Sequence, residues 1–170
     1  LEARSAVAID WPLQTMQIIE GSIRLLGKSD WVIFTSPSAV RLYMQHLYPL
    51  NPFSKAACVG TSTAAALEDD YGRACSLMPS EVFSAKSLAD EVINYKELFI
   101  GKKILFPCSR LAKNDLLDSL EAEGLVVRRH EFYVPEQTEG GALPDFDSIC
   151  FFSSSAVEAY FTLEAPTDLS

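Results

Sequence analysis

The sequence predicts an α/β fold built on parallel strands, and two observations carry this prediction. The first is a set of short apolar runs, each rich in β-branched or aromatic residues, as strands buried on both faces are. The second is the helical pattern that follows most of these runs after a short connection, because alternating strands and helices are typical of parallel sheets. The runs are residues 6–9, 31–34, 56–59, 103–106 and 148–152.

A sixth run and a series of helical segments complete the pattern. Residues 125–134 are half polar, so we expect this run at a sheet edge. Apolar residues recur at helical spacing in the helical segments, so that Val40 and Tyr43, for example, share one face. Gly72 and Gly124 follow two of the segments, where glycine commonly ends a helix. The segments are residues 38–47, 62–71, 84–98, 113–123 and 154–161.

Two stretches interrupt the alternation and indicate domain boundaries. They are residues 10–12 and residues 135–144. The second stretch combines Pro, Gly and acidic residues without an apolar period, which is typical of a hinge or linker. We therefore expect residues 13–137 to form one α/β lobe, and residues 1–12 plus 138–170 to belong to a second lobe.

Composition limits the functions that the chain is expected to have. The formal net charge of −9 disfavours a nucleic-acid binder, which needs a basic face, and it disfavours long-range steering of an anionic substrate. An anionic ligand would have to be held by local donors. We identify neither a membrane span nor a signal peptide in the sequence, and we expect a cytoplasmic protein.

The cysteines do not suggest a metal site. Cys58, Cys75, Cys108 and Cys150 form no CxxC pair and only 2 histidines accompany them, so we expect no structural zinc and no other bound metal. Most of these cysteines lie in or beside apolar runs, as reduced buried cysteines do, and this suits a reducing compartment.

The most informative feature is a turn that recurs after several predicted strands. An apolar run ends, hydroxyl residues follow, and a helix begins. Small hydroxyl side chains can cap such a helix and can also donate to a ligand, and the helix amino terminus itself attracts anions. The turns are residues 34–40, 59–64, 106–110 and 152–157. Together they suit a ligand with several carboxylates, with plain helix caps as the alternative, and no P-loop or G-x-G-x-x-G pattern is present.

Tyr133 is the foremost candidate for a catalytic side chain. It lies at the end of the half-polar run beside the linker, where a tyrosine between lobes can face a cleft and donate a proton. A packed aromatic side chain is the alternative. Arg110 and Lys113 are cations placed to meet carboxylates, with ordinary surface charge as the alternative. We interpret His46 and His130 as surface residues, the latter on a solvated strand face.

Taken in order, these segments resemble uroporphyrinogen-III synthases over nearly the whole chain. The resemblance implies two α/β lobes, each a parallel sheet flanked by helices, joined by a two-stranded linker. It also implies a lyase without metal or organic cofactor. Such an enzyme closes the linear tetrapyrrole hydroxymethylbilane to uroporphyrinogen III, with loss of water and inversion of ring D, in haem biosynthesis. The matching segments are residues 30–40, 58–64, 104–109, 116–124 with Tyr133, and 149–157.

The resemblance also implies roles for individual residues. Tyr133 would assist loss of the substrate hydroxyl, and backbone amides of the turns would hold carboxylates. The expected partners are the small-molecule substrate and hydroxymethylbilane synthase, which would hand the bilane over to a monomer that binds neither nucleic acid nor membrane. The expected substrate-binding residues are Ser36, Pro37, Ser38, Thr61, Thr63, Ser109, Arg110, Lys113, Ser153 and Ser154.

Two features of the family are missing from the sequence. Family members open with a strand and helix before the segment that matches residues 1–12, and they carry a further I-G-x-T turn after the segment that ends near Phe161. The second lobe is therefore expected to be incomplete. Two alternatives stay open: a non-enzymatic two-lobed module that binds a polycarboxylate, and a degenerate synthase-like regulatory domain.

Overall fold

One sheet organises the part of the chain that the structure describes. The computed structural model describes residues 14–138, 145–151 and 154–163. Its strands are β1 (Gln14–Ile18), β2 (Ser29–Phe34), β3 (Phe53–Cys58), β4 (Ile104–Ser109) and β5 (Val127–Gln137). They lie in the order β1-β5-β4-β2-β3. β2 pairs in parallel with β3 and with β4, and β4 pairs in parallel with β5.

Helices follow the strands. They are α1 (Pro37–Leu42), which continues as one π-helical turn (Tyr43–Leu47), α2 (Thr61–Tyr71), α3 (Ala85–Asn94), a 3-10 turn (Lys96–Leu98), α4 (Asp115–Ala122) and α5 (Ser154–Leu163). The predicted helical segments are therefore confirmed, and so is the mixed α/β fold. Gly72 and Gly124 have φ angles of 63° and 81° and end α2 and α4 in the left-handed conformation that glycine favours. Among the described helices, none has the length and apolar character needed to cross a membrane.

Alternate residues of β2 divide the core between the two faces of the sheet. Trp31 and Ile33 pack with apolar residues of α3 and α4, whereas Val32 and Phe34 pack with apolar residues of α1 and α2. All four side chains are at most 3% exposed. A strand covered on both faces must be apolar throughout, and this is the pattern by which the sequence predicted it.

The predicted strands have different outcomes. The runs at residues 31–34, 56–59 and 103–106 overlap β2, β3 and β4 and are confirmed as strands, with Val59 and Lys103 just beyond the strand ends, and the run at residues 6–9 lies outside the described residues. The strand predicted at residues 148–152 is wrong over its described part, because residues 148–151 are irregular. An apolar run becomes a strand only when a neighbour pairs with it, and Ile149 here is 43% exposed.

The expectation that residues 125–134 lie at a sheet edge is wrong. β5 lies between β1 and β4, and it alternates exposed Arg128 and Glu131 with buried His130 and Phe132. The interpretation of His130 as a surface residue is wrong as well, since its side chain is 4% exposed. The polar residues of this strand are a few exposed side chains, and they do not mark it as an edge strand.

His130 is covered by the chain that follows β1. Its Nε2 atom lies 2.9 Å from the Ser22 carbonyl oxygen, and the Ser22 hydroxyl donates to the Phe132 carbonyl oxygen at 3.2 Å. Burial is the main cause that lowers the pKa of His130, and the positive charges of Arg24 and Arg128 act in the same direction. The imidazole is therefore neutral in the folded protein at neutral pH.

The chain divides into two compact units. One is Ile18–Val134, which holds α1 to α4 together with β2, β3 and β4. The other comprises Leu1–Gln17 and Pro135–Ser170 and holds α5, on which Tyr160 packs its ring edge-on against Phe151 with the ring centroids 5.4 Å apart. The predicted hydroxyl turns that the structure describes in full all belong to the first unit.

The buried histidine predicts a pH dependence of stability. Because the folded state holds His130 neutral, the unfolded state binds more protons below the ordinary histidine pKa of about 6.5. Stability should therefore fall as the pH is lowered through this value, and His130→Asn should flatten that slope. Urea unfolding between pH 7.5 and pH 5 measures it, with the exposed His46→Asn as the matched control. An unchanged slope in His130→Asn would contradict the prediction.

Candidate functional site

The site is built at the edge of the sheet where the parallel strands end. Val32 of β2 pairs with Ala56 of β3 and with Leu105 of β4, so these strands finish close to one another. β4 pairs with β5 up to Ser109 and Tyr133, after a shift of register between Cys108 and Ser109. Parallel strands place their carboxyl ends on one side, which is where ligands of open α/β sheets bind.

The first turn, after β2, is a hydroxyl-capped helix start. Ser36 has extended backbone angles, and its Oγ atom accepts a hydrogen bond from the Ala39 backbone N–H at 3.1 Å. Pro37 occupies the first turn of α1, where its missing N–H costs nothing. The cap uses Ser36 as an acceptor, and this leaves the hydroxyl proton available for another partner.

The second turn, after β3, is closed by a backbone cap. Gly60 is the cap residue of α2, and its carbonyl oxygen accepts from the N–H groups of Thr63 at 3.1 Å and Ala64 at 3.0 Å. Its glycine identity has a steric reason, since a Cβ atom at this position would lie 2.9 Å from Cβ of Phe83. Phe83 therefore lies over this turn, although the residue is itself 48% exposed.

Thr63 contributes a buried hydroxyl that the described residues leave unpaired. The side chain is 1% exposed, and its Oγ1 atom has no hydrogen-bond partner among the described residues. Burying a hydroxyl without a partner normally costs on the order of 1–3 kcal/mol. Thr61 lies two residues earlier and is exposed. The same helix start thus holds two exposed hydroxyls, those of Thr61 and Ser62, and one buried hydroxyl without a described partner.

The third turn, after β4, is tied directly to β5. The Arg110 backbone N–H donates to the Tyr133 carbonyl oxygen at 2.9 Å. The Ser109 hydroxyl oxygen accepts from the Leu111 N–H at 3.1 Å, and the Ser109 carbonyl oxygen accepts from the Ala112 N–H at 3.0 Å. The side chains of Arg110 and Lys113 are exposed on this turn, and neither forms an ion pair with another described residue.

Tyr133 lies where the first and third turns meet. Its side chain is 6% exposed and its ring packs edge-on against Phe132, with the ring centroids 5.0 Å apart. Burial raises the pKa of the Tyr133 phenol, while hydrogen bonding to the Ser36 side chain and to the Ser109 backbone acts in the opposite direction. The phenol is therefore protonated at neutral pH, and its oxygen lies beside two groups that can stabilise negative charge.

The structure brings some of the predicted site residues together and leaves others apart. Ser36 and Ser109 lie beside Tyr133, and the Val59 N–H donates to the Phe34 carbonyl oxygen at 2.9 Å, which joins the first and second turns. Pro37 and Ser38 are half-buried in the first turn of α1. Ser153 lies outside the described residues, and Ser154 is the first residue of α5, in the other unit.

Phe83 is a residue at this site that the sequence did not single out. It precedes Ser84, whose Oγ atom caps α3 by accepting from the Ser87 N–H at 3.0 Å. An apolar residue directly ahead of a helix cap often packs against the first turns of its own helix, so the sequence indicated a packed residue there but not its partner. Only the fold shows that the neighbour is Gly60.

The site offers backbone N–H groups, hydroxyls and two cations, so it can hold anionic groups and donate a proton. No group of three or more His, Cys, Asp or Glu side chains that could hold a metal ion lies within residues 14–138, 145–151 and 154–163. The arrangement suits positioning and local charge stabilisation of a ligand with several carboxylates.

Comparison with known proteins assigns the family. The family model described as uroporphyrinogen-III synthase HemD matches residues 1–168. The chain belongs to the uroporphyrinogen-III synthase family. This family consists of enzymes of tetrapyrrole biosynthesis that act on a small-molecule tetrapyrrole, and the predicted resemblance is confirmed. A search of curated proteins gives no match.

Two solved structures of uroporphyrinogen-III synthases are similar to this chain. The crystal structure of uroporphyrinogen-III synthetase from Helicobacter pylori matches with a TM-score of 0.60 and 17% sequence identity, covering 94% of this chain and 74% of that one. A mutant uroporphyrinogen III synthase from the extremely thermophilic bacterium Thermus thermophilus matches with a TM-score of 0.49 and 15% identity, covering 74% of this chain and 52% of that one. The first likeness supports the mixed α/β fold.

The unpaired Thr63 hydroxyl leads to a stability prediction. Thr63→Val replaces the hydroxyl by a methyl group of similar shape, so it should raise the free energy of unfolding of the free protein by about 1 kcal/mol. Thr61→Val, the same change at an exposed position of the same helix, should alter stability by less than about 0.5 kcal/mol. Urea unfolding of both variants decides the matter. A destabilised Thr63→Val would mean that the hydroxyl is hydrogen-bonded.

Proposed function

We propose that this chain carries out the synthase reaction on hydroxymethylbilane, closing it to uroporphyrinogen III with inversion of ring D and loss of water. The reaction is that of a cyclising hydro-lyase. The observation that supports it most is the position of Tyr133 opposite Ser109 at the strand ends, with the Ser36 side chain beside its phenol. The proposal needs no metal or organic cofactor, because the chemistry is elimination of water followed by ring closure.

We assign to Tyr133 the proton that assists the elimination. The phenolic proton moves to the hydroxyl of the bilane, the carbon–oxygen bond breaks, and water leaves. An azafulvene-type cation remains on the bilane. The resulting phenolate lies beside the Ser36 hydroxyl and the Ser109 backbone, and both interactions favour the ionised form. A phenol that is protonated at neutral pH and has its conjugate base stabilised locally is suited to general acid catalysis.

We assign the carboxylates of the substrate to the turns. Ser36, Pro37 and Ser38 form the first helix start, Thr61 and Thr63 the second, and Ser109 lies in the third turn. Arg110 and Lys113 add positive charge beside the third turn, and their exposed side chains can reach a ligand. In a chain of net charge −9, such local donors must replace long-range attraction. Ser153 and Ser154 are proposed to bind a substrate carboxylate at a fourth turn.

The organisation around this unit is also a proposal. We propose two α/β lobes, one of residues 13–137 and one of residues 1–12 plus 138–170, joined by a two-stranded linker. We further propose a cytoplasmic monomer that receives its substrate from hydroxymethylbilane synthase, since the bilane closes spontaneously when it is left free.

A coupled assay tests the proposed reaction. Hydroxymethylbilane is generated in situ, the protein is added, and the oxidised porphyrin isomers are separated by chromatography. A dominant type III isomer is the expected result, because spontaneous closure of the bilane gives the type I isomer. Type I product alone would contradict the proposal. Binding of the bilane without turnover would then favour a polycarboxylate-binding module or a regulatory domain.

Removing the phenolic hydroxyl tests the role of Tyr133. Tyr133→Phe should lower kcat by about 10²-fold or more, the usual range for loss of a general acid, while the far-ultraviolet circular dichroism stays unchanged. Tyr95→Phe, at a position that is 46% exposed, is the matched control and should leave turnover unchanged. Full turnover by a folded Tyr133→Phe would exclude the proton-donor role.

A further inference from the structure

A groove at the amino ends of the central strands gathers positive charge. It has a volume of about 400 Å³, and its charged lining residues are Lys28, Lys102, Lys103 and Arg128. No Asp or Glu is among its described lining residues. This concentration of one sign contrasts with the net charge of −9 carried by the whole chain.

The strand order creates the groove. Lys28 immediately precedes β2, Lys102 and Lys103 immediately precede β4, and Arg128 is near the start of β5. These three strands are neighbours in the order β5-β4-β2, so their amino ends lie side by side. The hydroxyl turns lie at the carboxyl ends of the same strands, and the groove is therefore separate from the candidate active site.

The loop that carries Lys28 is held in place by a buried side chain. Asn51 is 0% exposed, and its Oδ1 atom accepts from the N–H groups of Leu26 and of Gly27, the latter at 3.1 Å. Its Nδ2 group donates to the Arg24 carbonyl oxygen at 2.9 Å. On the far side, Arg128 Nη1 donates to the Leu26 carbonyl oxygen at 3.4 Å. The wall of the groove is thus fixed before any ligand arrives.

The lysines of the groove, Lys28, Lys102 and Lys103, have no ion-pair partner among the described residues. The neighbouring carboxylate, Asp30, accepts the Lys103 backbone N–H at 2.9 Å and does not line the groove. Like charges gathered in one concavity repel one another, and an anion bound among them would relieve that repulsion.

We propose that this groove binds a small polyanion with at least two anionic groups, of the pyrophosphate or polycarboxylate class. Lys28 and the Lys102–Lys103 pair approach the groove from two neighbouring loops, and Arg128 adds a planar donor on the third strand. Several cations around a volume of this size favour a multiply charged ligand over a single chloride or acetate. The site is independent of the synthase reaction and does not require turnover.

Calorimetric titration of the whole chain at low ionic strength tests the site, with inorganic pyrophosphate and citrate as separate probes. Binding of at least one probe is expected, and the probe that binds identifies the ligand class as pyrophosphate-like or polycarboxylate. Lys102→Glu should weaken the binding by at least about fivefold, and added KCl should weaken it further. Lys86→Glu, an exposed charge reversal on α3, should change the binding by less than about twofold.

Two outcomes would overturn the proposal. One is the absence of binding by both probes at millimolar concentration. The other is binding that Lys102→Glu and Lys28→Glu leave unchanged, because the anion would then be held elsewhere, for example at the turns of the candidate active site. Circular dichroism of each variant confirms that it is folded before titration, so that loss of binding reports on the groove alone.

Discussion

The parallel pairing of β2, β4 and β5 is the constraint on which the site depends. It sets Ser109 opposite Tyr133 and lets the Arg110 N–H reach the Tyr133 carbonyl oxygen at 2.9 Å. Ser36 follows β2 at the same edge, where its side chain lies beside the phenol. A slip of one residue in β5 would turn Tyr133 to the other face of the sheet and separate these groups. The strand register therefore determines the relative positions of Ser36, Ser109 and Tyr133.

The same sheet gives the protein two electrostatically different ends. At the carboxyl ends, hydroxyls and helix starts provide neutral donors around a protonated phenol, with Arg110 and Lys113 exposed nearby. At the amino ends, Lys28 and Lys102 belong to a groove without carboxylates among its described lining residues. A chain of net charge −9 thus keeps two places that favour anions. The loops that form each site are held by neighbouring strands, so the positive groups are concentrated locally. Neither site therefore requires the protein as a whole to attract anions.

Much of this fold could be predicted because double-sided burial forces an unbroken apolar run, as in β2 and β4. Helix ends could also be predicted, because glycine readily adopts the positive φ angle that ends a helix, as Gly72 does. The position of β5 in the sheet could not be predicted, because exposed arginines in an interior strand give it the half-polar pattern of an edge strand. The burial of His130 depends on the Ser22 carbonyl oxygen, which is distant in sequence. The proximity of Tyr133 and Ser36, which are also distant in sequence, was not predicted for the same reason.

The interaction between Ser36 and Tyr133 can be measured directly by a double-mutant cycle. Ser36→Ala, Tyr133→Phe and the double variant are unfolded in urea, and the cap lost with Ser36 cancels between the two sides of the cycle. A hydrogen bond between the side chains predicts a coupling free energy of about 1 kcal/mol. It also predicts non-additive losses of kcat/KM in the coupled assay. Additive effects in both measurements would contradict the view that the strand register joins these hydroxyls into one site.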